Sequence, residues 1–222
     1  MSIKKYMLID LSMLSGIGLI LEAVGTYFIN YMFVGAYPMT VVSLLITIEA
    51  LVRWGWKGLL VVPFCALGNF IGGQFLFFHD KGFGVYDWKM LLSVFFGLAA
   101  LSVNLIPFHK FKTNVLLQKY KWFAPVMILA DCLIFELVRG IIYAFILRGD
   151  NGYIINNSVG YDIMGYGIAF VMGLILLHQK VMLNFEEKIA AEREQILADR
   201  KAEEDYLKNA GKKDSLDNDD KE

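Results

Sequence analysis

Six apolar runs dominate this sequence, and each approaches the length of about 20 residues that a helix needs to cross the hydrocarbon core of a membrane. They cover roughly residues 7–33, 37–53, 58–78, 88–107, 122–148 and 160–184. Hydrophobic residues make up 57% of the chain and charged residues 19%, whereas soluble domains carry about 45–50% and about 25%. The sequence therefore predicts an all-α membrane protein with six transmembrane helices.

The positive charges between these runs predict the orientation of the chain, because cytoplasmic loops are enriched in Lys and Arg. When alternate connections are assigned to opposite sides, one side holds nine such residues and the other side holds three. The nine are Lys4, Lys5, Arg53, Lys57, Lys110, Lys112, Lys119, Lys121 and Lys180, and the three are Lys81, Lys89 and Arg148. We therefore expect a multi-pass protein of the cell membrane with both termini in the cytoplasm.

The composition changes abruptly after Asn184. Residues 185–222 contain 13 acidic and 8 basic residues, whereas residues 1–184 contain 9 acidic and 13 basic residues. We expect two parts: a transmembrane domain at 1–184 and a charged, acidic cytoplasmic tail at 185–222, helical to about Ala210 and disordered after Gly211. The basic residues form no continuous face, which argues against nucleic-acid binding.

Ionisable side chains at membrane depth are costly, so they indicate ion pairs, cavities or ligand sites. Glu136, Arg139 and Tyr143 share one face of the fifth run at helical spacing, Asp131 is turned away from it, and Glu22 lies at mid-depth in the first run. Two interpretations are open. Glu136 or Glu22 pairs with Arg139 only to neutralise its charge, or the group points into an outward-opening cavity. In that cavity Arg139 would bind a carboxylate or phosphate, and a glutamate would bind an amine or ring nitrogen.

Further polar and aromatic residues are predicted in the outer half of the runs. They are Asn69, Gln74, Trp88, Asp162 and Tyr166. Taken singly, each is more often a helix–helix hydrogen bond or an interface anchor than a ligand contact. Together with the charged group they supply the mixture of apolar walls and a few placed polar groups that is typical of a small-molecule site.

Motifs for catalysis, nucleotide binding and metal binding are absent from the sequence. There is no G-x-x-x-x-G-K-[ST], no H-E-x-x-H and no G-x-S-x-G, and the histidines are isolated from one another. We therefore expect no enzyme activity, no cofactor and no metal. An intramembrane enzyme that uses Glu22 and Glu136 as acid and base is a weaker alternative, because no nucleophile or metal set accompanies them.

Residues 37–73 carry a family resemblance. Their sequence, YPMTVVSLLITIEALVRWGWKGLLVVPFCALGNFIGG, has a Tyr-Pro opening, a short corner with Gly55, Lys57 and Gly58, and the segment Gly68-Asn69-x-x-Gly72. With six spans in residues 1–184 and cytoplasmic termini, the chain resembles the substrate-binding S components of energy-coupling factor (ECF) transporters.

The resemblance implies that the chain captures a vitamin or related micronutrient from outside. Delivery would then require a shared ECF transmembrane coupling subunit and two ATPase subunits, with the S component toppling in the lipid bilayer. S components dock through a small-x-x-x-small element on the first span, and the matching positions here are Ser12 and Gly16. The alternative is a membrane-anchored scaffold or interaction protein that acts through its acidic tail.

Overall fold

The computed structural model describes residues 3–32, 41–80, 88–111, 113–120, 122–147, 163–178 and 184–219, and it describes side chains over somewhat shorter stretches. Within these residues the chain is helical and contains no strand. The chain divides into two units, Met1–Asn184 and Phe185–Glu222. The boundary lies where the composition changes.

The helices of the first unit follow the predicted apolar runs. They are α1 (Ile3–Met32), α2 (Val41–Trp54), α3 (Val62–Asp80), α4 (Trp88–Ala100), α5 (Leu105–Lys110), α6 (Thr113–Lys119), α7 (Phe123–Leu147) and α8 (Ile163–His178). Two 3₁₀ segments, Gly55–Val61 and Leu101–Asn104, continue from α2 and α4. Only the short helix α6, in the basic connection after the fourth run, lies outside the predicted set.

Three segments are long and apolar enough to cross a membrane: Ile3–Phe28, Val41–Gln74 and Met90–Lys110. They correspond to the first four predicted runs, since Val41–Gln74 includes α2 and most of α3. Helix α7 coincides with the fifth run and contains three charged residues, and α8 lies within the sixth. The coarse prediction of a helical protein with membrane-spanning segments is therefore supported.

The chain reverses direction after α2. Gly55 has a φ of +56°, a left-handed conformation that glycine adopts without steric cost. Gly58 then lies so close to the backbone of Ala50 that a Cβ atom at Gly58 would overlap it. Helix α2 has 14 residues and a length of about 21 Å, so it is shorter than the hydrocarbon core, as its sequence predicts.

Helices α1 and α3 cross at very short range because small residues face the crossing. A Cβ atom on Gly68 would lie 2.5 Å from the backbone oxygen of Leu19, and one on Gly18 would lie 2.6 Å from the sulfur of Cys65. A Cβ atom on Gly72 would overlap the backbone oxygen of Ala23. The Gly-Asn-x-x-Gly segment, together with Cys65 one turn earlier, therefore packs directly on α1.

A second packed group contains α4, α7 and α8, with α7 in contact with both neighbours. A Cβ atom on Gly97 of α4 would lie 2.9 Å from the ring of Phe135 on α7. On the other side of α7, Gly173 of α8 packs directly on Ile128. Glycines thus let both neighbouring helices approach α7 closely.

Segments predicted to share the cytoplasmic side meet in the first unit. Near the start of α1, Asp10 binds Arg53 at 2.8 Å, and the indole N–H of Trp54 donates to Asp10 at 2.6 Å. The side chain of Asn184 donates to the backbone oxygen of Val52 at 3.0 Å, and its backbone N–H donates to Asn114 on α6 at 2.7 Å. The first and last parts of this unit therefore both contact the end of α2.

The second unit contains one long helix, α9 (Phe185–Asp219). Every side chain from Ala190 to Glu204 is exposed, and the charged residues are spread around the helix. The helix passes through Gly211 and ends beyond the Ala210 position expected from the sequence. A single glycine lowers the stability of a helix by only about 1 kcal/mol relative to alanine. The hydrogen bonds of a long continuous helix offset this loss.

Candidate functional site

The predicted charged group on the fifth run forms an ion pair within α7. Nη1 of Arg139 lies 3.2 Å from Oε1 of Glu136, and the two side chains are only 14% and 9% exposed. Helical spacing of three residues places both groups on one face. The guanidinium carbon of Arg139 also lies 5.6 Å from the ring centre of Phe135, a distance suited to a cation–π contact. The sequence allowed Arg139 to pair with Glu136 or with Glu22, and the structure contains the pair with Glu136.

This pair lies on the helix that packs against both α4 and α8. Phe135, beside the pair, is fully buried and touches Gly97 of α4, while Cys132 is buried one turn earlier. Tyr143 follows on the same helix, but its side chain lies outside the described residues. The α7 ion pair therefore combines opposite charges with a buried aromatic ring, on a helix that packs against two others.

Glu22 is part of a different cluster, where α1, α2 and α3 meet. Its side chain is 1% exposed. One carboxylate oxygen accepts a hydrogen bond from the backbone N–H of Ser43 at 2.9 Å, in the first turn of α2. The other accepts hydrogen bonds from Asn69 at 3.1 Å and Thr26 at 3.3 Å. Glu22 thus caps α2, where the helix dipole favours a negative charge, and it ties three helices together.

Asn69 belongs to this second cluster, since its amide also donates to Thr26 at 3.2 Å. The structure therefore brings Glu136 together with Arg139, and Glu22 together with Asn69, through separate sets of hydrogen bonds. For Asn69 these contacts match the helix–helix hydrogen bond that the sequence left open, whereas Glu22 binds Ser43, Asn69 and Thr26 in place of the predicted pairing with Arg139. Their role as ligand contacts stays a prediction.

The remaining predicted site residues are placed only in part. Gln74 is half-buried on α3, and Trp88 is 58% exposed at the first residue of α4. Tyr166 is on α8 with its side chain outside the described residues, and Asp162 lies outside them altogether. The outward connections at 81–87 and 148–160 also lie outside the described part of the chain.

Two polar clusters emerge that the sequence alone did not assemble. Asp10, Arg53, Glu49 and Trp54 join the start of α1 to the end of α2, with Arg53 paired to both carboxylates. Asn104 donates to both oxygens of Asp131, at 2.7 and 2.9 Å. For the Asn104–Asp131 cluster, the sequence signal was an amide side chain inside the fourth apolar run. It was accompanied by a carboxylate on the fifth run that is turned away from the predicted charged face.

The two residues predicted to dock a partner are both exposed on α1. Among the described residues, a Cβ atom on Gly16 would meet no atom of another helix within 4 Å, and Ser12 is exposed one turn earlier. Glu22, on the same helix, faces the interior. Helix α1 therefore packs one face inward and presents a different face, with these two small residues, to its surroundings.

In chemical terms, the α7 ion pair offers a guanidinium and a carboxylate beside an aromatic ring, a set suited to binding a polar or zwitterionic molecule. The described residues contain no group of three or more His, Cys, Asp or Glu side chains that could hold a metal ion.

Comparisons with protein-family models, with curated proteins and with solved structures found no match to this chain.

Proposed function

We propose that this chain is an S component of an ECF transporter, which captures a vitamin or related micronutrient from outside the cell. The observation that carries the proposal is the buried Glu136–Arg139 pair on α7, flanked by α4 and α8. Charged groups at membrane depth are expensive and are usually kept for ligands, ions or pairs with a function. The pair lies on the fifth of six proposed spans.

The chemistry of the pair defines the class of ligand. A guanidinium presents several N–H donors in a plane and binds carboxylates or phosphates in a bidentate manner. Glu136 would accept hydrogen bonds from an amine or a protonated ring nitrogen. A ligand that carries one positive and one negative group would replace the Glu136–Arg139 ion pair by two new ion pairs, one with each of these residues.

The contacts at the end of α2 support the proposed six-span topology. The start of α1, α6 and Asn184 all lie against or near residues 52–54. An even number of spans would return the chain to the side on which it began. This is the arrangement in which both termini are cytoplasmic, as the distribution of Lys and Arg predicts.

The exposed face of α1 supports docking on an ECF transmembrane coupling subunit, and it gives a direct prediction. Replacing Gly16 by Leu is expected to weaken assembly with the coupling subunit and to spare ligand binding, since no other helix in the described structure lies within 4 Å of the new Cβ. Co-purification of the two subunits measures the effect. Gly25 also has open space around it, so Gly25→Leu is the matched control. Unchanged assembly in Gly16→Leu would remove this residue from the docking surface.

The second candidate is a membrane-anchored scaffold that acts through the tail. It is favoured by one observation: residues 185–222 form a unit of their own, with a long helix whose described side chains are mostly exposed. A solvated helix with both charge signs is also a common extension of a transmembrane segment. The two candidates differ in which part of the chain holds the binding partner.

One experiment tests both candidates. The full chain and a variant that lacks residues 185–222 are purified from the same cells, and each is analysed for bound small molecules by mass spectrometry and for co-purifying ATPase subunits. A transporter subunit is expected to retain its ligand without the tail. If the full chain carries neither a small molecule nor an ATPase pair, and the truncated chain loses a protein partner, the scaffold is the better description.

A further inference from the structure

Two carboxylates in the described part of the first unit are almost completely buried, but their surroundings differ. Glu22 accepts hydrogen bonds from a backbone N–H at a helix start, from an amide and from a hydroxyl. Asp131 is 0% exposed, and its hydrogen bonds in the described residues come from one nitrogen, Nδ2 of Asn104. The two sites therefore offer very different stabilisation to a negative charge.

An ionised carboxylate has about four acceptor positions and, once buried, needs several donors or a cation. Glu22 has such a set, including the positive end of the α2 dipole. Asp131 has one neutral amide. A neutral carboxylic acid needs far less, because its carbonyl oxygen can accept the N–H of Asn104, which lies 2.7 Å from Asp131.

The charged residues around α7 do not supply a counter-ion to Asp131 in the described structure. On α7 itself the neighbouring ionisable groups are Cys132 and Glu136, which bear no positive charge, and Arg139 is engaged by Glu136. Among the helices that pack on α7, the ionisable residues are Lys89 on α4, Lys119 on α6, and Tyr166 and His178 on α8. Their side chains lie outside the described residues. Each of the three cationic candidates is at or next to a helix end, whereas Asp131 is in the third turn of α7.

We infer that Asp131 and Asn104 form a buried proton-binding site, in which the Asp131 carboxyl group holds a proton at neutral pH. The acid–amide pair joins α7 to the Leu101–Asn104 segment that continues α4. Neutralisation by a proton lets the two segments remain packed without a charge in an apolar interior. This site is separate from the α7 ion pair, and the inference does not depend on the proposed transport function.

Infrared spectroscopy of the full chain in lipid nanodiscs tests the inference, since a carboxylic acid and a carboxylate absorb in well-separated regions. The wild type is expected to show a carboxylic acid carbonyl band that is lost in Asp131→Asn, with no loss of carboxylate absorption. The control is Glu22→Gln, which should leave the Asp131 acid band in place. Asn104→Leu should shift the acid band to higher frequency, because the hydrogen bond to Asp131 is removed.

The folding of Asp131→Asn and the infrared bands can each support or contradict a proton on Asp131. Asparagine has nearly the shape of a protonated aspartic acid, so Asp131→Asn should fold and melt like the wild type. Failure of this variant to fold would overturn the inference, as would a loss of carboxylate absorption in place of the acid band. A wild-type spectrum that lacks the acid band and changes with added sodium would instead identify a cation site, which also contradicts a bound proton.

Discussion

Replacing Arg139 by Ala is expected to abolish uptake of the ligand. The change removes the only cation of the α7 ion pair, and with it the bidentate donor for a carboxylate or phosphate. It also leaves the carboxylate of Glu136 buried without this counter-ion, which costs about 3–5 kcal/mol when a buried pair is broken. Uptake measured per folded molecule, with the amount of membrane-inserted protein determined in parallel, checks the prediction.

A double variant separates ligand binding from folding at this pair. Glu136→Gln combined with Arg139→Met removes both charges at once, so no uncompensated charge remains in the interior. We expect the amount of folded protein to recover toward the wild-type level while uptake stays absent. If the double variant transports normally, the pair serves only to hold α7 in place, and normal uptake by Arg139→Ala at normal abundance would contradict the site directly.

Replacing Gly68 by Ala is expected to destabilise the fold strongly, although alanine favours helices over glycine by about 1 kcal/mol. The new methyl group would lie 2.5 Å from the backbone oxygen of Leu19 and 2.9 Å from its Cα. Backbone atoms cannot rotate away, so α1 and α3 must separate. Overpacking of this kind costs about 1–3 kcal/mol, and separation would also weaken the hydrogen bonds between Glu22 and Asn69. Thermal unfolding in detergent measures the change.

The same substitution at Gly16 is the matched control, because it adds the same methyl group to the same kind of helix with no atom nearby. Gly16→Ala is expected to leave the melting temperature unchanged or to raise it slightly. A lower melting temperature for Gly68→Ala, together with an unchanged or higher one for Gly16→Ala, would establish the close crossing of α1 and α3. Equal effects would show that helix propensity alone, and no steric contact, governs both glycines.

The helical segments and their order followed from the sequence, because a run of about 20 apolar residues has few stable alternatives to a helix in lipid. The Glu136–Arg139 contact was also predictable, since residues three apart share a helix face whatever the tertiary structure. Gly55, Lys57 and Gly58 marked the corner between α2 and α3. The end of α9 was less predictable, because one glycine alters helix stability only slightly.

The partners of Glu22 and Asp131 could not be predicted from the sequence. An apolar span is hydrophobic on every face, so its pattern does not show which face packs against another helix. Glu22 was placed near Arg139 by depth alone, whereas in the structure it binds Ser43 and Asn69. Asn104 was not singled out, although it binds Asp131.

By itself the sequence determined a helical chain with segments long and apolar enough to span a membrane, a separate charged tail and a few costly charges inside apolar runs. Only the tertiary structure decided how each charge is accommodated: by an ion pair along α7, by a helix start at Ser43, or by a single amide at Asn104. The physical reason is that the length of an apolar run depends only on the residues within that run. The stabilisation of a buried charge depends instead on donors that distant parts of the chain bring within about 3 Å.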